Sequence, residues 1–333
     1  MKNTLQFPAL LERFFTQRLI SQRQASSHTI ASYRDSFRLL LAFAQKRIHK
    51  PPSRLELTDL DAPLIGAFLD DLEKRRHNTA RSRNLRLTAI RSFFRFAAYE
   101  DPAQSGLIQR VLSMPAKRQD KKLVHFLTHP EIEALLLAPD RETWAGRRDY
   151  AFLLVTVQTG LRLSEMIHLR WHDVTLGTGA HIRCQGKGRK ERCTPLTKQA
   201  VTVLRTWMQE SGLRKVETVF PNARGGHLSA DGGQYLLAKH AAAAAQTCPS
   251  LKEKRVSPHV LRHTAAMELL QAGVDRAVIA LWLGHESVET TQIYLDANLS
   301  LKEQALAKTS PPNRKPAGRY RPDDQLLQFL KAL

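Results

Sequence analysis

The chain has 333 residues, room for two domains, and 51 Lys and Arg against 31 Asp and Glu leave it a formal charge of +20. That excess points to a polyanionic partner, nucleic acid before membrane, while 42% hydrophobic and 25% charged residues exclude a disordered basic tail. The longest clean apolar stretch, Ala151–Val155, is too short to span a bilayer. No leader pattern opens the chain, and Cys184, Cys193 and Cys248 form no C-x-x-C pair, so a protein of the reducing cytoplasm with no membrane partner is expected.

Residues 5–99 are predicted to be nearly all helix. Leu5, Leu10, Leu11, Phe14, Phe15 and Leu19 recur at helical spacing, as do Ile30, Tyr33, Phe37, Leu40, Leu41 and Ala44. Pro51-Pro52-Ser53 breaks the pattern, and Thr58 or Asp59 caps a third helix holding Leu64, Phe68 and Leu72. A fourth carries Leu85, Ile90, Phe93, Phe94 and Ala97 on one side. The stretch Lys74–Arg95, assigned to this fourth helix, holds eight basic residues and no acidic one. A solvated face is the plain reading of such a run. Like charges at i,i+4 repel, however, and in so basic a chain contact with a phosphate backbone is the better one. Arg75, Arg76, Arg81, Arg83 and Arg86 are the candidates, joined by Lys117 and Arg118 of the following basic stretch.

Glu100–Lys122, with Asp101-Pro102, Gly106 and Pro115, has linker composition. Thr128-His-Pro-Glu131 then has capping-box spacing and opens a second, mixed domain. In it we predict a helix around Tyr150–Gln158, short strands at His181–Gln185 and Glu191–Thr194, and helices at Lys198–Glu210, Ala230–Ala245, Pro258–Gln271 and Asp275–Leu283. Gly186–Lys190 forms the hairpin tip between the strands. The expected domains are residues 1–105, a linker at 106–122, residues 123–310, and a C-terminal extension at 311–333.

Five places in the second domain can do chemistry. Arg162 and Glu165 share one helical turn, Lys187 sits on the hairpin tip, His259 and Arg262 share another turn, His285 follows Gly284, and Tyr294 comes nine residues later. Singly, each has a bland reading as a salt bridge or packing. His259 and His263, at i,i+4, also have the spacing of two metal ligands. Yet Val260 stands where a metalloprotease motif needs Glu, and nearby guanidiniums repel a dication, so no metal is expected. One continuous helix would separate His285 from Tyr294 by roughly 13 Å. Gly284 can end one helix and Ser287 can cap another, which permits Tyr294 to swing back toward the cluster. Paired arginines match a phosphoryl centre whose negative charge grows in the transition state, and positive neighbours can stabilise a tyrosinate. With no carboxylate cluster for magnesium, the reaction inferred is metal-free, cofactor-free attack by tyrosine on a DNA phosphodiester.

Four segments in order, over about 135 residues, now resemble a known family. Thr159-Gly-Leu-Arg-Leu-Ser-Glu165 is similar to the first arginine motif of the tyrosine recombinases of the phage-integrase family. Gly186-Lys-Gly-Arg-Lys-Glu-Arg192 resembles its β-hairpin lysine motif, His259-Val-Leu-Arg-His-Thr264 its H-x-x-R box, and Leu283–Tyr294 its histidine-to-tyrosine segment. Thr29, Tyr33, Phe37 and Phe43 resemble its helical core-binding domain. The resemblance implies a mainly α fold with a small β-hairpin: an N-terminal helical core-binding, SAM-like domain, then a mixed α+β catalytic domain.

It further implies that Tyr294 forms a 3′-phosphotyrosyl link, that Arg162 and Arg262 hold the non-bridging oxygens, and that Lys187 protonates the leaving 5′-oxygen. His259 would assist proton transfer and His285 would position the phosphate. Glu165 either orients its neighbours or is a structural salt bridge. The partners implied are double-stranded recombination sites, bound by a homotetramer with or without a second recombinase. Leu299–Ala307 would supply an amphipathic piece that docks on the neighbouring subunit, and Gln325–Leu330 is either an intersubunit helix or a local cap. No arm-binding module precedes Leu5, and the tail beyond Tyr294 favours integration, excision or transposition of a mobile element. The alternatives are chromosome or plasmid dimer resolution of the Xer type, a type IB topoisomerase, and a non-catalytic DNA-binding regulator.

Overall fold

The computed structural model describes residues 6–119, 124–186, 191–212 and 217–285 together with Thr291 and Tyr294, and the chain divides into two compact units, Met1–Lys121 and Lys122–Leu333. Among the described residues no helix is long and apolar enough to cross a membrane.

The first unit is helical. Helix α1 (Phe7–Arg13) runs into a π-helical stretch at Phe14–Gln22, followed by α2 (Ser27–Ile48), α3 (Ala62–Arg76), α4 (Ala80–Glu100) and α5 (Ser105–Leu112). Side chains of Ser26, Asp61 and Thr79 accept the orphan N–H groups at the starts of α2, α3 and α4. The apolar faces meet around Phe14, Phe37 and Phe93, whose rings pack edge to face.

Four details depart from the sequence reading. Asp61, not Thr58 or Asp59, caps α3, because Leu57–Asp59 forms a separate 3-10 turn before it. The basic run from Lys74 to Arg95 is split between two helices, because His77 adopts a left-handed conformation (φ 50°) that ends α3 and Thr79 caps α4. Lys74, Arg75 and Arg76 therefore face the negative end of the α3 dipole. Leu85, expected on the inner side of α4, is 59% exposed, and Leu87 is buried instead. Ser105–Leu112 lies largely in the span read as linker, yet it is a helix with Ile108 and Val111 buried in the core and Leu107 and Leu112 packed against it, and these four apolar residues outweigh the Gly106 signal.

In the second unit, α6 (His129–Leu137) opens with the expected Thr128–Glu131 capping box. Helix α7 (Trp144–Thr159) starts six residues before the expected Tyr150, capped by Thr143. Then come the short α8 (Leu163–Ile167) and an antiparallel sheet ordered β1 (Val174–Thr175), β2 (His181–Gln185), β3 (Glu191–Pro195). Helices α9 (Lys198–Gly212), α10 (Ala230–Thr247), α11 (Pro258–Gln271) and α12 (Arg276–Leu283) complete it. The core sits on α7, whose Ala151–Val155 segment is buried all round, as a helix enclosed by others must be.

A polar staple crosses that core. The buried Asp149 carboxylate accepts from Arg148 Nε and Nη2 at 2.9 and 2.6 Å, and its other oxygen lies 2.8 Å from His240 Nε2 on α10. Arg148 also donates to the Pro221 carbonyl, at 3.0 Å. Removing the carboxylate strands two buried partners, so Asp149→Ala is expected to lower unfolding free energy by about 3–5 kcal/mol in urea denaturation monitored by circular dichroism.

Candidate active site

The site begins where α7 ends. Gly160 closes the helix in the left-handed conformation (φ 63°), and a Cβ there would lie 2.7 Å from Leu283 Cδ2 and 3.1 Å from Ala265 Cβ. Absence of a side chain lets α11 and α12 approach, and the Gly160 carbonyl accepts from Arg262 Nη1 at 2.7 Å. Two residues on, Arg162 opens α8. Its main-chain N–H donates to Glu165 Oε2 at 2.8 Å, and its Nη1 donates to Glu165 Oε1 at 3.0 Å. The i,i+3 spacing thus becomes both a helix cap and an ion pair.

A helix C-terminus leaves carbonyls without partners inside the helix. At the end of α12 three consecutive ones are taken by three different guanidiniums. Trp282 O accepts from Arg192 Nε at 3.1 Å, Leu283 O from Arg262 Nη2, and Gly284 O from Arg162 Nη2 at 3.1 Å. The Trp282 indole N–H donates to the Thr159 carbonyl at 3.0 Å, tying the same turn to the end of α7. Gly284 caps α12 in the left-handed conformation (φ 63°), as its place in the sequence suggests.

Arg192 donates to both oxygens of Glu165, at 3.0 and 2.7 Å. Burial works against the Glu165 charge, but the Arg192 hydrogen bonds and charge, with those of Arg162, outweigh it and hold the carboxyl below its ordinary range. Arg262 is pulled down to about 10, chiefly by burial and then by the charge of Arg162, and stays protonated at neutral pH.

The nucleophile candidate is packed away. Tyr294 is 1% exposed among Ala266, Met267, Leu270, Ile279 and Leu283, and burial pushes its hydroxyl up to about 12 despite the charge of Arg262. Its Oη lies 3.0 Å from His263 Nδ1. His263 is lowered to about 4 by burial, then by His259 and Arg262, so a neutral ring faces a neutral hydroxyl. His285 is likewise lowered to about 4 by burial and then by the Arg262 and Arg162 charges, with Nδ1 at 2.9 Å from Thr291 Oγ1. Its ring stacks near Tyr294 at 6.3 Å between centroids.

Arg162, Glu165, Arg262, His285 and Tyr294 therefore converge. His259 lies exposed on the first turn of α11, one turn before His263, while Lys187 and Ser287 lie outside the described residues, as do Leu299–Ala307 and the extension at 311–333. Among the described residues no group of three His, Cys, Asp or Glu is placed to hold a metal ion. In the first unit Arg76, Arg81 and Arg118 are exposed, Arg75 is exposed beside Asp71 (3.0 Å), and Lys117 is exposed while paired with Glu73 (3.0 Å). Arg83 and Arg86 turn inward: Arg83 lies against Glu73 at 3.5 Å, and Arg86 donates to Ser32 O and Ser36 Oγ at 3.2 and 3.0 Å.

Two neighbours were not singled out by sequence reasoning. His263 was weighed only as a metal ligand. Arg192 closes the hairpin lysine motif, and strand alternation carries the signal for it: it pairs across from buried Cys184, so its side chain shares the inward face.

Residues 125–300 match the phage integrase family and residues 11–101 match the phage integrase N-terminal SAM-like domain. A Sinorhizobium fredii protein described as integrase/recombinase y4rC is 64% identical over 324 residues, 97% of each chain. The tyrosine recombinase XerC of Oceanobacillus iheyensis is 31% identical over 304 residues, 89% of this chain and 94% of that one. The crystal structure of XerH site-specific recombinase bound to palindromic difH substrate, a post-cleavage complex, shares the fold (TM-score 0.68, 23% identity, 86% of this chain and 81% of that one). A motif set in family order, two arginines and a tyrosine gathered at one helix end, and relatives matched over nearly their whole length agree: the chain belongs to the phage integrase family and is a tyrosine recombinase.

Proposed function

We propose that Tyr294 is the nucleophile that cuts and rejoins DNA. Its oxygen bonds to phosphorus, the bond to the 5′-oxygen breaks, and a 3′-phosphotyrosyl link remains while the tyrosine proton departs. The observation that carries this reading is the convergence of Arg162 and Arg262 on one turn of α12, beside His285 and the tyrosine. Arg162 and Arg262 hold the non-bridging oxygens, where fixed positive charge stabilises the growing negative charge at no cost in reorganisation. His285, kept neutral, positions the phosphate by hydrogen bonding. His259, at the exposed start of α11, assists proton transfer, and Lys187 protonates the leaving 5′-oxygen. Glu165 orients Arg162. The link conserves bond energy, so the 5′-hydroxyl of a partner strand can reverse the chemistry without a cofactor.

Double-stranded DNA is the partner, and exchange between two duplexes requires four protomers, cut two at a time. Arg75, Arg76, Arg81, Lys117 and Arg118 follow the phosphates, with affinity falling steeply as salt rises. Arg83 and Arg86 support this surface from inside. Integration, excision or transposition of a mobile element is the pathway we favour over dimer resolution, on the higher identity to the integrase/recombinase than to XerC.

The test compares wild type with Tyr294→Phe on sheared genomic DNA, denatured in SDS and sequenced where protein stays attached. Enrichment of a discrete site by wild type alone is the expected result. Equal capture by both proteins removes Tyr294 from its role.

The neutral histidines also set a pH dependence. A histidine lowered to about 4 in the folded chain binds fewer protons than its unfolded form, of ordinary value 6.5, across the interval between. The stability they contribute is present above about 6.5 and is lost as pH falls toward 4. Urea midpoints should therefore drop between pH 6.5 and 5, above the range where the carboxylates titrate, and His285→Gln should flatten the drop.

A further inference from the structure

We propose that Arg192 is a positioning residue, which locks Glu165 so that Arg162 stays both aimed and available to the phosphate. The inference rests on the recombinase reading of Arg162. The Arg192 side chain on β3 is only 10% exposed, and all its bonded donors reach the site: Nη1 and Nη2 to the two oxygens of Glu165, Nε to the carbonyl of Trp282. Packing alone does not call for an ion pair here, because an apolar pair of similar volume in place of Arg192 and Glu165 together would be about as stable.

Charge and geometry supply one. With Glu165 alone, Arg162 sits in a closed pair of zero net charge, and a phosphate must compete with the carboxylate for it. Three guanidiniums and one carboxylate (3 − 1) leave the cluster at +2, and without Arg192 it falls to +1. The fork of Arg192 also spans the carboxylate, which prevents it from rotating, so Oε2 stays on the Arg162 N–H and Oε1 on its Nη1. Through Trp282 O the same side chain holds β3 against the turn that precedes His285. It lies directly over Gly284, where a Cβ would sit 2.9 Å from Nη1. Gly284 is thus required twice, for its backbone conformation and for the arginine above it.

The experiment uses the full chain and sheared genomic DNA, with wild type, Arg192→Lys, Arg192→Met, Glu165→Gln and the double variant Arg192→Lys/Glu165→Gln. Lysine keeps the charge and loses the fork, whereas methionine keeps the volume. Arg192→Lys, which keeps a cation beside Glu165, is expected to melt near wild type and Arg192→Met to melt lower while remaining folded at the assay temperature. Both are expected to retain DNA on filters within about twofold, while SDS-resistant capture slows on the order of 100-fold, the scale set by small misplacement of a reacting group. In the Glu165→Gln background the Arg192→Lys change should add less than about threefold, because both act through one carboxylate. A second readout needs no activity: in the DNA-free protein labelled with 15N-arginine, the restricted rotation of the Arg162 guanidinium should be lost in both variants. Capture within about threefold of wild type by folded Arg192→Met, full additivity with Glu165→Gln, or an unchanged Arg162 signal each overturns the proposal. If wild type shows no Tyr294-dependent capture, the recombinase reading fails, and the Arg162 signal still decides what Arg192 does.

Discussion

Three guanidiniums held in one small volume repel one another, and the second unit is arranged to bear that repulsion without neutralising it. One carboxylate, Glu165, takes three hydrogen bonds from two of them and a fourth from the Arg162 main-chain N–H, and main-chain carbonyls accept from all three guanidiniums. Carbonyls satisfy donors with partial charge only, so the cluster keeps a net positive field in a dry setting where that field is strong. The neutrality of His263 and His285 and the depression of Arg262 are consequences of the same crowding added to burial. The glycines at 160 and 284 follow from it too, because the chain segments must come close enough for backbone oxygens to reach the arginines.

Much of this was legible in the sequence. The helix at Pro258–Gln271 and the strand at His181–Gln185 begin and end where their caps and alternation place them. Arg162, Arg262, His285 and Tyr294 were found because spacing and residue type agree on one chemistry. The losses have local causes. Periodicity cannot show that a left-handed His77 interrupts a helix, since one residue's backbone conformation leaves no trace in the spacing of apolar residues. Leu85 satisfies helical spacing yet faces solvent, because spacing fixes a face and not how wide the buried part of it is. Arg83 and Arg86 share the composition of the exposed basic run, and only tertiary contacts with Glu73, Ser32 and Ser36 separate them from it.

The two units divide their labour by chemistry. The first is a core built largely of interlocked phenylalanines and leucines with a basic exterior, a construction that supplies shape and charge. The second places its polar groups inside: the Asp149 staple, the Glu131–Lys254 pair at 2.7 Å and the arginine cluster all lie between helices. Interior polar groups demand exact partners, and so this unit tolerates less variation in geometry than the first.

One feature of α12 sets how the site can change. The carbonyls of Trp282, Leu283 and Gly284 at its end hold three arginines, each of which is also fixed elsewhere, Arg162 and Arg192 on Glu165 and Arg262 on the Gly160 carbonyl. The turn is therefore a junction at which side chains from α8, α11 and β3 are tied to one short stretch of main chain, so that substitutions in three separate elements bear on the same three carbonyls.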